Sequence, residues 1–151
     1  MKIELDSVDT GILNILQQNA KTPYAEIGKK MYVSAATVHS RIKKMERLKI
    51  IKNVKAEVNY GLIGYDITCF LGIYLNKSSF YEKAKKQLEK IPEIVSLHYT
   101  TGQYTMFVKL YCKDTNHLLD ILHHKIQCID GVQRTETLLS LEQSINRKLI
   151  V

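Results

Sequence analysis

The sequence lacks paired cysteines. Cys69, Cys112 and Cys128 are odd in number, lie far apart and form no C-x-x-C pair. That pattern suggests neither a disulfide framework nor a zinc knuckle, and points to buried free thiols in a reducing cytoplasm. Also missing is any apolar run of the length that a membrane span needs. The opening residues alternate charged and apolar groups, so no signal peptide is expected. No nucleophile–base pair or carboxylate dyad stands out. The five histidines are His39, His98, His117, His123 and His124, and adjacent His123 and His124 point to different sides of a helix, whereas metal ligands on one helix sit four apart. These absences argue against an enzyme and against a metal or other cofactor.

Acid is almost missing from one stretch. Residues 29–55 hold nine Lys and Arg against a single acid, Glu46, so this stretch carries +8 where the whole chain carries +7, and the remaining chain is near neutral. Concentrated positive charge points to a polyanion, because phosphate neutralisation releases counterions from nucleic acid. An anionic membrane would offer the same charge, but the stretch has no long basic amphipathic helix with bulky aromatic anchors. At 151 residues the chain can form one domain or two small ones, each with a core.

Within the basic stretch, Ser34 to Leu48 reads as a helix. Ser34 suits the N-cap, and Ala35, Val38, Ile42 and Met45 recur at spacings of three and four, on one face. Small polar groups near the start let a helix backbone approach base edges, while Arg and Lys reach bases or phosphates. Ser34, Ala36, Thr37, Ser40, Arg41 and Lys44 are therefore expected at a DNA groove. Lys43 and Arg47 are expected at phosphates or at neighbouring helices. If Arg41 reads a base, Arg41→Ala should weaken specific binding by about 1–3 kcal/mol. Taken alone, the same face could be an ordinary solvated one; its neighbours favour DNA.

Asp6 and Asp9 form a capping-box-like start to a first helix with Val8, Ile12, Ile15 and Leu16 on its apolar face. Thr22-Pro23 opens a second, with Tyr24, Ile27 and Met31 inward. Tyr32-Val33 then forms a tight turn, with Tyr32 where such turns favour glycine. Three short helices, the third basic, make a helix-turn-helix over residues 1–52. Residues 53–64 read as an extended linker or small wing ending in Gly61 and Gly64 turn chemistry. From 65 to 151 the order is strand (Ile67–Leu75), helix (Tyr81, Ala84, Leu88, Ile91), strand (Ile94–Thr101), strand (Tyr104–Cys112), helix (Leu118, Leu119, Leu122, Ile126) and strand (132–142). The fold class is α+β, with the second half a ferredoxin-like βαββαβ sandwich. Two helices cover one face of such a sheet, yet Phe70, Tyr74, Phe107 and Tyr111 fall on the other. A second copy would cover them, giving a two-fold dimer suited to two DNA half-sites.

Several motifs resemble the Lrp/AsnC family of bacterial and archaeal transcription regulators, in order and along essentially the whole chain. They are Leu-Asp-Ser-Val-Asp-Thr-Gly-Ile-Leu at 5–13, Ala-Glu-Ile-Gly-Lys-Lys at 25–30, Val-Ser at 33–34 and Arg-Ile-Lys-Lys-Met-Glu at 41–46. Gly-Tyr-Asp-Ile-Thr-Cys-Phe-Leu-Gly-Ile at 64–73, Tyr-Thr-Thr-Gly-Gln-Tyr at 99–104, Lys-Ile-Gln-Cys-Ile-Asp at 125–130 and Thr-Glu-Thr-Leu at 135–138 resemble its asparagine-responsive AsnC branch. The resemblance implies a winged helix-turn-helix joined to a ligand-sensing RAM domain, in a cytoplasmic regulator of transcription. It implies dimers that assemble into octamers or open arrays, with an amino acid bound where dimers meet. By resemblance the effector site comprises Thr100, Thr101, Gly102, Gln103 and Tyr104 with Gln127, Thr135, Glu136 and Thr137. A glycine turn can aim N–H groups at a carboxylate, and Glu136 could face an α-ammonium. Many members carry Asp where this sequence has Tyr104, which favours a neutral effector such as asparagine over a basic one. Alternatives are an effector-free architectural DNA binder, with steep salt dependence and little specificity, and an enzyme like the tetrapyrrole decarboxylases that resemble the family.

Overall fold

In the computed structural model, which describes residues 3–151, the first helices are set by their caps. Asp6 accepts the Asp9 N–H at 2.8 Å and starts α1 (Ser7–Gln18). Pro23 precedes α2 (Tyr24–Met31), and Ser34 Oγ accepts the Thr37 N–H at 3.1 Å to start α3 (Ala35–Arg47). The three helices bury Ile12, Leu13, Ile27, Val38, Ile42 and Met45 together. The inner faces are slightly rotated from those expected. Leu13 and Asp9 go inside on α1, Ile15 and Leu16 stay half-buried, and Ala35 of α3 is exposed.

Gly28 explains the α2–α3 turn: a Cβ there would lie 2.6 Å from the Val33 carbonyl oxygen. The turn closes with Val33 N–H donating to the Gly28 carbonyl at 2.9 Å, and the end of α3 closes likewise from Ile50 N–H to the Met45 carbonyl at 2.9 Å. These are the six-to-one bonds of a Schellman stop, which needs left-handed backbone at the residue between. That residue is Tyr32 (φ 56°) in one case and Lys49 (φ 60°) in the other. Left-handed backbone costs an L-residue roughly 1–2 kcal/mol.

After Ile51 the chain runs without regular structure to a short 3₁₀ turn at Gly61–Ile63. Among the described residues there is no strand in this part, so the expected wing is an unpaired extended segment. Val54 and Val58 are exposed along it; alternation without a neighbouring strand has no ladder to join. Two compact units result, residues up to 57 with 145–151, and residues 58–144. Residues 145–151, expected at the end of the second domain, belong to the first unit. In the first unit the Asn14 side chain instead bonds both the N–H and the carbonyl of Val151, at 3.1 and 2.9 Å.

The second unit is built on β1 (Ile67–Leu75). With α4 (Tyr81–Leu88), β2 (Ile94–Tyr99), β3 (Met106–Cys112), α5 (Thr115–Asp120) and β4 (Val132–Leu139) it forms a wholly antiparallel sheet of order β2-β3-β1-β4. This is the βαββαβ sandwich. The helices cover one face, where Cys69, Leu71, Ile73, Met106, Val108, Leu110 and Cys112 are fully buried with Ala84, Leu88, Ile121 and Ile126. On the other face Phe70 and Phe107 stack at 5.8 Å and Tyr60 stacks on Tyr111 at 4.5 Å. One expectation fails on α5. Leu119 is 51% exposed and Ile121 takes its place inside. The helix widens into π turns over Ile121–Ile126, closed by Gln127 N–H to the Leu122 carbonyl at 2.8 Å. Five-residue spacing then puts Ile121 and Ile126 on one side, a register that ordinary helical periodicity misses.

The cysteines also divide. All three are free, Cys69 and Cys112 buried and Cys128 exposed, not buried as expected. Burial pushes the Cys112 thiol up to about 12 and raises that of Cys69 too. Thiol reagent at mild alkaline pH should therefore modify Cys128 quickly and the other two only after unfolding, read by mass spectrometry of labelled peptides.

Candidate DNA interface and effector site

The outer face of α3 is a shallow concave surface lined by His39, Ser40, Lys43, Lys44 and Arg47. Thirteen residues make a helix of about 20 Å, long enough to cross a DNA groove. Ser34, Ala36 and Ser40 are exposed beside it and Thr37 is half-buried; the Thr37 and Ser34 hydroxyls bond each other at 2.9 Å. Lys44 and Arg47 have no protein partner among the described residues, while Lys43 reaches Glu46 at 2.9 Å along its own helix. His39, which sequence reading did not select, lies on this face against the ring of Tyr24, 5.8 Å between centroids. Its four-residue spacing to Lys43 was the available signal.

Arg41 is placed differently from the rest. Its guanidinium donates to Asp6 at 2.5 Å and to Asp9 at 2.8 Å, both on α1. Asp9 is 4% exposed, so its carboxylate depends on this partner. Arg41, expected at the groove, thus makes an inter-helix contact, the alternative to phosphate expected of Lys43 and Arg47. The Arg41 hydrogen bond also holds the Asp6 carboxyl below its usual range.

At the β2–β3 turn, Thr100 Oγ1 donates to the Tyr104 carbonyl at 2.7 Å and Thr100 N–H to the Thr105 carbonyl at 3.2 Å. Thr101, Gly102 and Gln103 form the exposed tip, and Gly102 has φ 102° with open space where a side chain would project. Tyr104 leaves this turn and lies flat on Gly72 of β1, where a Cβ would come within 2.3 Å of the ring. Its hydroxyl donates to Glu136 Oε2 at 2.8 Å, and the Tyr74 hydroxyl donates to Oε1 at 3.0 Å. Arg134 stands 3.3 Å from the same carboxylate, with its guanidinium 3.9 Å above the Tyr74 ring. The Tyr104 bond, then that of Tyr74, holds the Glu136 carboxyl below its ordinary value, and Glu136 raises the Tyr104 hydroxyl.

The structure brings together only part of the expected effector set. Glu136 lies opposite Gly72, on the face away from the helices, beside the turn through Tyr104. Strand alternation sends Thr135 and Thr137 to the opposite face. There Gln127 Nε2 donates to Thr135 Oγ1 at 3.0 Å. Sequence reading did not assign Gly72, Tyr74 or Arg134 to this site. A lone glycine inside an apolar strand was the signal for a close approach.

A basic helix-turn-helix joined to a βαββαβ sandwich with a half-buried polar cluster on its open face defines the class: a DNA-binding transcriptional regulator with a small-molecule effector domain. Comparison bears this out. Residues 5–46 match the AsnC-type helix-turn-helix domain and residues 68–150 the Lrp/AsnC ligand binding domain. The chain is 43% identical over 145 residues to the regulatory protein AsnC of Haemophilus influenzae, covering 96% of this chain and 97% of that one. It superposes on the structure of Escherichia coli AsnC with a TM-score of 0.94 at 40% identity, covering 99% of this chain and 100% of the other. A Neisseria meningitidis transcriptional regulator solved with L-methionine shares the fold at TM-score 0.91 and 20% identity, with 95% and 94% covered. The chain belongs to the Lrp/AsnC family. Among the described residues no helix is long and apolar enough to cross a membrane.

Removing Arg41 leaves the Asp9 carboxylate buried without its partner. Arg41→Met should therefore destabilise the first unit by about 1–3 kcal/mol at neutral pH, read by denaturant unfolding. Since Arg41 depresses the Asp6 carboxyl in the folded state, that part of the stability is present above the ordinary carboxylate range. It is lost as pH falls through the folded value. The gap between wild type and variant should narrow below about pH 4.

Proposed function

We propose that this regulator responds to asparagine, bound at the Gly102 turn, and that it works in the cytoplasm as dimers that gather into octamers or larger assemblies. The observation that carries this is the turn itself. Left-handed Gly102 opens onto free space, and the exposed tip Thr101–Gly102–Gln103 leaves backbone N–H groups to face a carboxylate. The neighbouring Glu136 already accepts from Tyr104 and Tyr74 and sits by Arg134. A second cationic group on a basic effector would find no free acid there, which favours a neutral amide side chain. Gln127, Thr135 and Thr137 lie on the other face, so they would meet the effector of a neighbouring copy rather than that at the same chain's turn. On DNA, Ser34, Ala36, Thr37, Ser40 and Lys44 would face the bases, with Lys43 and Arg47 at phosphates.

Calorimetric titration with asparagine, glutamine, lysine and leucine tests the reading. Saturable heat from asparagine alone, abolished in Gly102→Val, is expected. Preference for lysine or leucine would overturn the neutral-amide argument. Silence from all four, with nearly equal affinity for specific and random DNA, would replace the effector reading by an architectural one.

A further inference from the structure

Among the described residues, the only non-glycine residues with left-handed backbone are Tyr32 and Lys49. They stand three residues before the first residue of α3 and two after its last. Each occupies the single position of its helix stop where glycine would relieve the strain. Neither side chain returns anything to the fold. Tyr32 is 96% exposed, Lys49 is exposed, and neither has a partner among the described residues. Both ends of one helix thus carry a strained residue with a long, solvent-facing polar tip.

We infer that Tyr32 and Lys49 clamp the DNA backbone at the two ends of α3, the Tyr32 hydroxyl donating to one phosphate and the Lys49 ammonium pairing with another. The inference rests on α3 being the helix that enters the groove. A helix across a major groove about 12 Å wide brings its two ends toward the two sugar–phosphate walls. The occupant is duplex DNA because the exposed face between the two residues carries Lys43, Lys44 and Arg47, with Ser40 and His39. A phenol suits a sugar–phosphate wall, its ring on the sugar and its hydroxyl on the phosphate oxygen. An ammonium on a flexible stem suits a phosphate as a point charge. Backbone contacts of this kind set the position of α3 on the duplex and carry no sequence information themselves.

The test compares Tyr32→Gly, Tyr32→Phe, Lys49→Gly and, as a control on the α3 face, Lys44→Ala, in the full chain. Thermal melting and DNA affinity on specific and random duplexes are measured over a salt series. Each glycine variant should melt higher than wild type yet bind specific and random DNA about three- to tenfold more weakly, a loss of one charge-assisted contact. Lys49→Gly should lower the salt slope by about 0.9, one phosphate's share. Tyr32→Phe should lose affinity as Tyr32→Gly does while melting like wild type. Glycine variants that bind as wild type, when Lys44→Ala binds weakly, overturn the clamp and keep α3 in the groove. If Lys44→Ala also binds as wild type, the placement of α3 itself fails.

Discussion

The second unit depends on the strict two-residue alternation of β1. This strand is hydrogen-bonded on both sides, to β3 and to β4, so no residue in it can shift without moving both neighbours. Cys69, Leu71 and Ile73 are committed to the helix-covered core. Phe70, Gly72 and Tyr74 are thereby committed to the open face, and Gly72 leaves a flat place on it. Tyr104 fills that place, and through its hydroxyl the β2–β3 turn is tied to Glu136 on the far edge strand. A one-residue slip would turn the core outward and dissolve the cluster at once.

In the first unit the equivalent constraint is a buried charge. Asp9 faces into the three-helix packing and is held by Arg41. A buried acid with one good partner contributes little net stability against an apolar pair, yet tolerates few alternative arrangements. Through Arg41 the pair ties α3 to α1. The rest of α3 divides cleanly, Val38, Ile42 and Met45 inward, Lys44 and Arg47 free in solvent. That division leaves an array of cations with no competing acid except Glu46, which suits a polyanion at every position except Arg41.

The two units share a design at their functional surfaces. In each, left-handed backbone lies at the proposed contact with a partner: Gly102 at the proposed effector turn, Tyr32 and Lys49 flanking α3. Glycine at the first allows close approach at no strain. Side chains at the other two replace that ease with reach.

Most of the architecture was legible in the residues, because caps and periodicity act locally. Ser34 and Asp6 begin their helices by bonding N–H groups three residues on, and alternation marks β1 wherever the strand lies. The family, too, followed from motifs in order along the chain. The π turns of α5, which bring Ile121 inside and turn Leu119 out, obey packing against the sheet rather than any helical period. The expected wing at 53–64 had strand-like residues but no partner strand among the described residues, and pairing is a property of two segments. Arg41 looked like one more cation on a basic face; only the approach of α1, through Asp6 and Asp9, decided that it faces protein. The same holds for the cluster around Glu136. Which side of β4 each of Thr135, Glu136 and Thr137 occupies, and that Tyr104 reaches one of them across Gly72, depends on strand register. Register is a long-range relation that the sequence of any one strand does not contain.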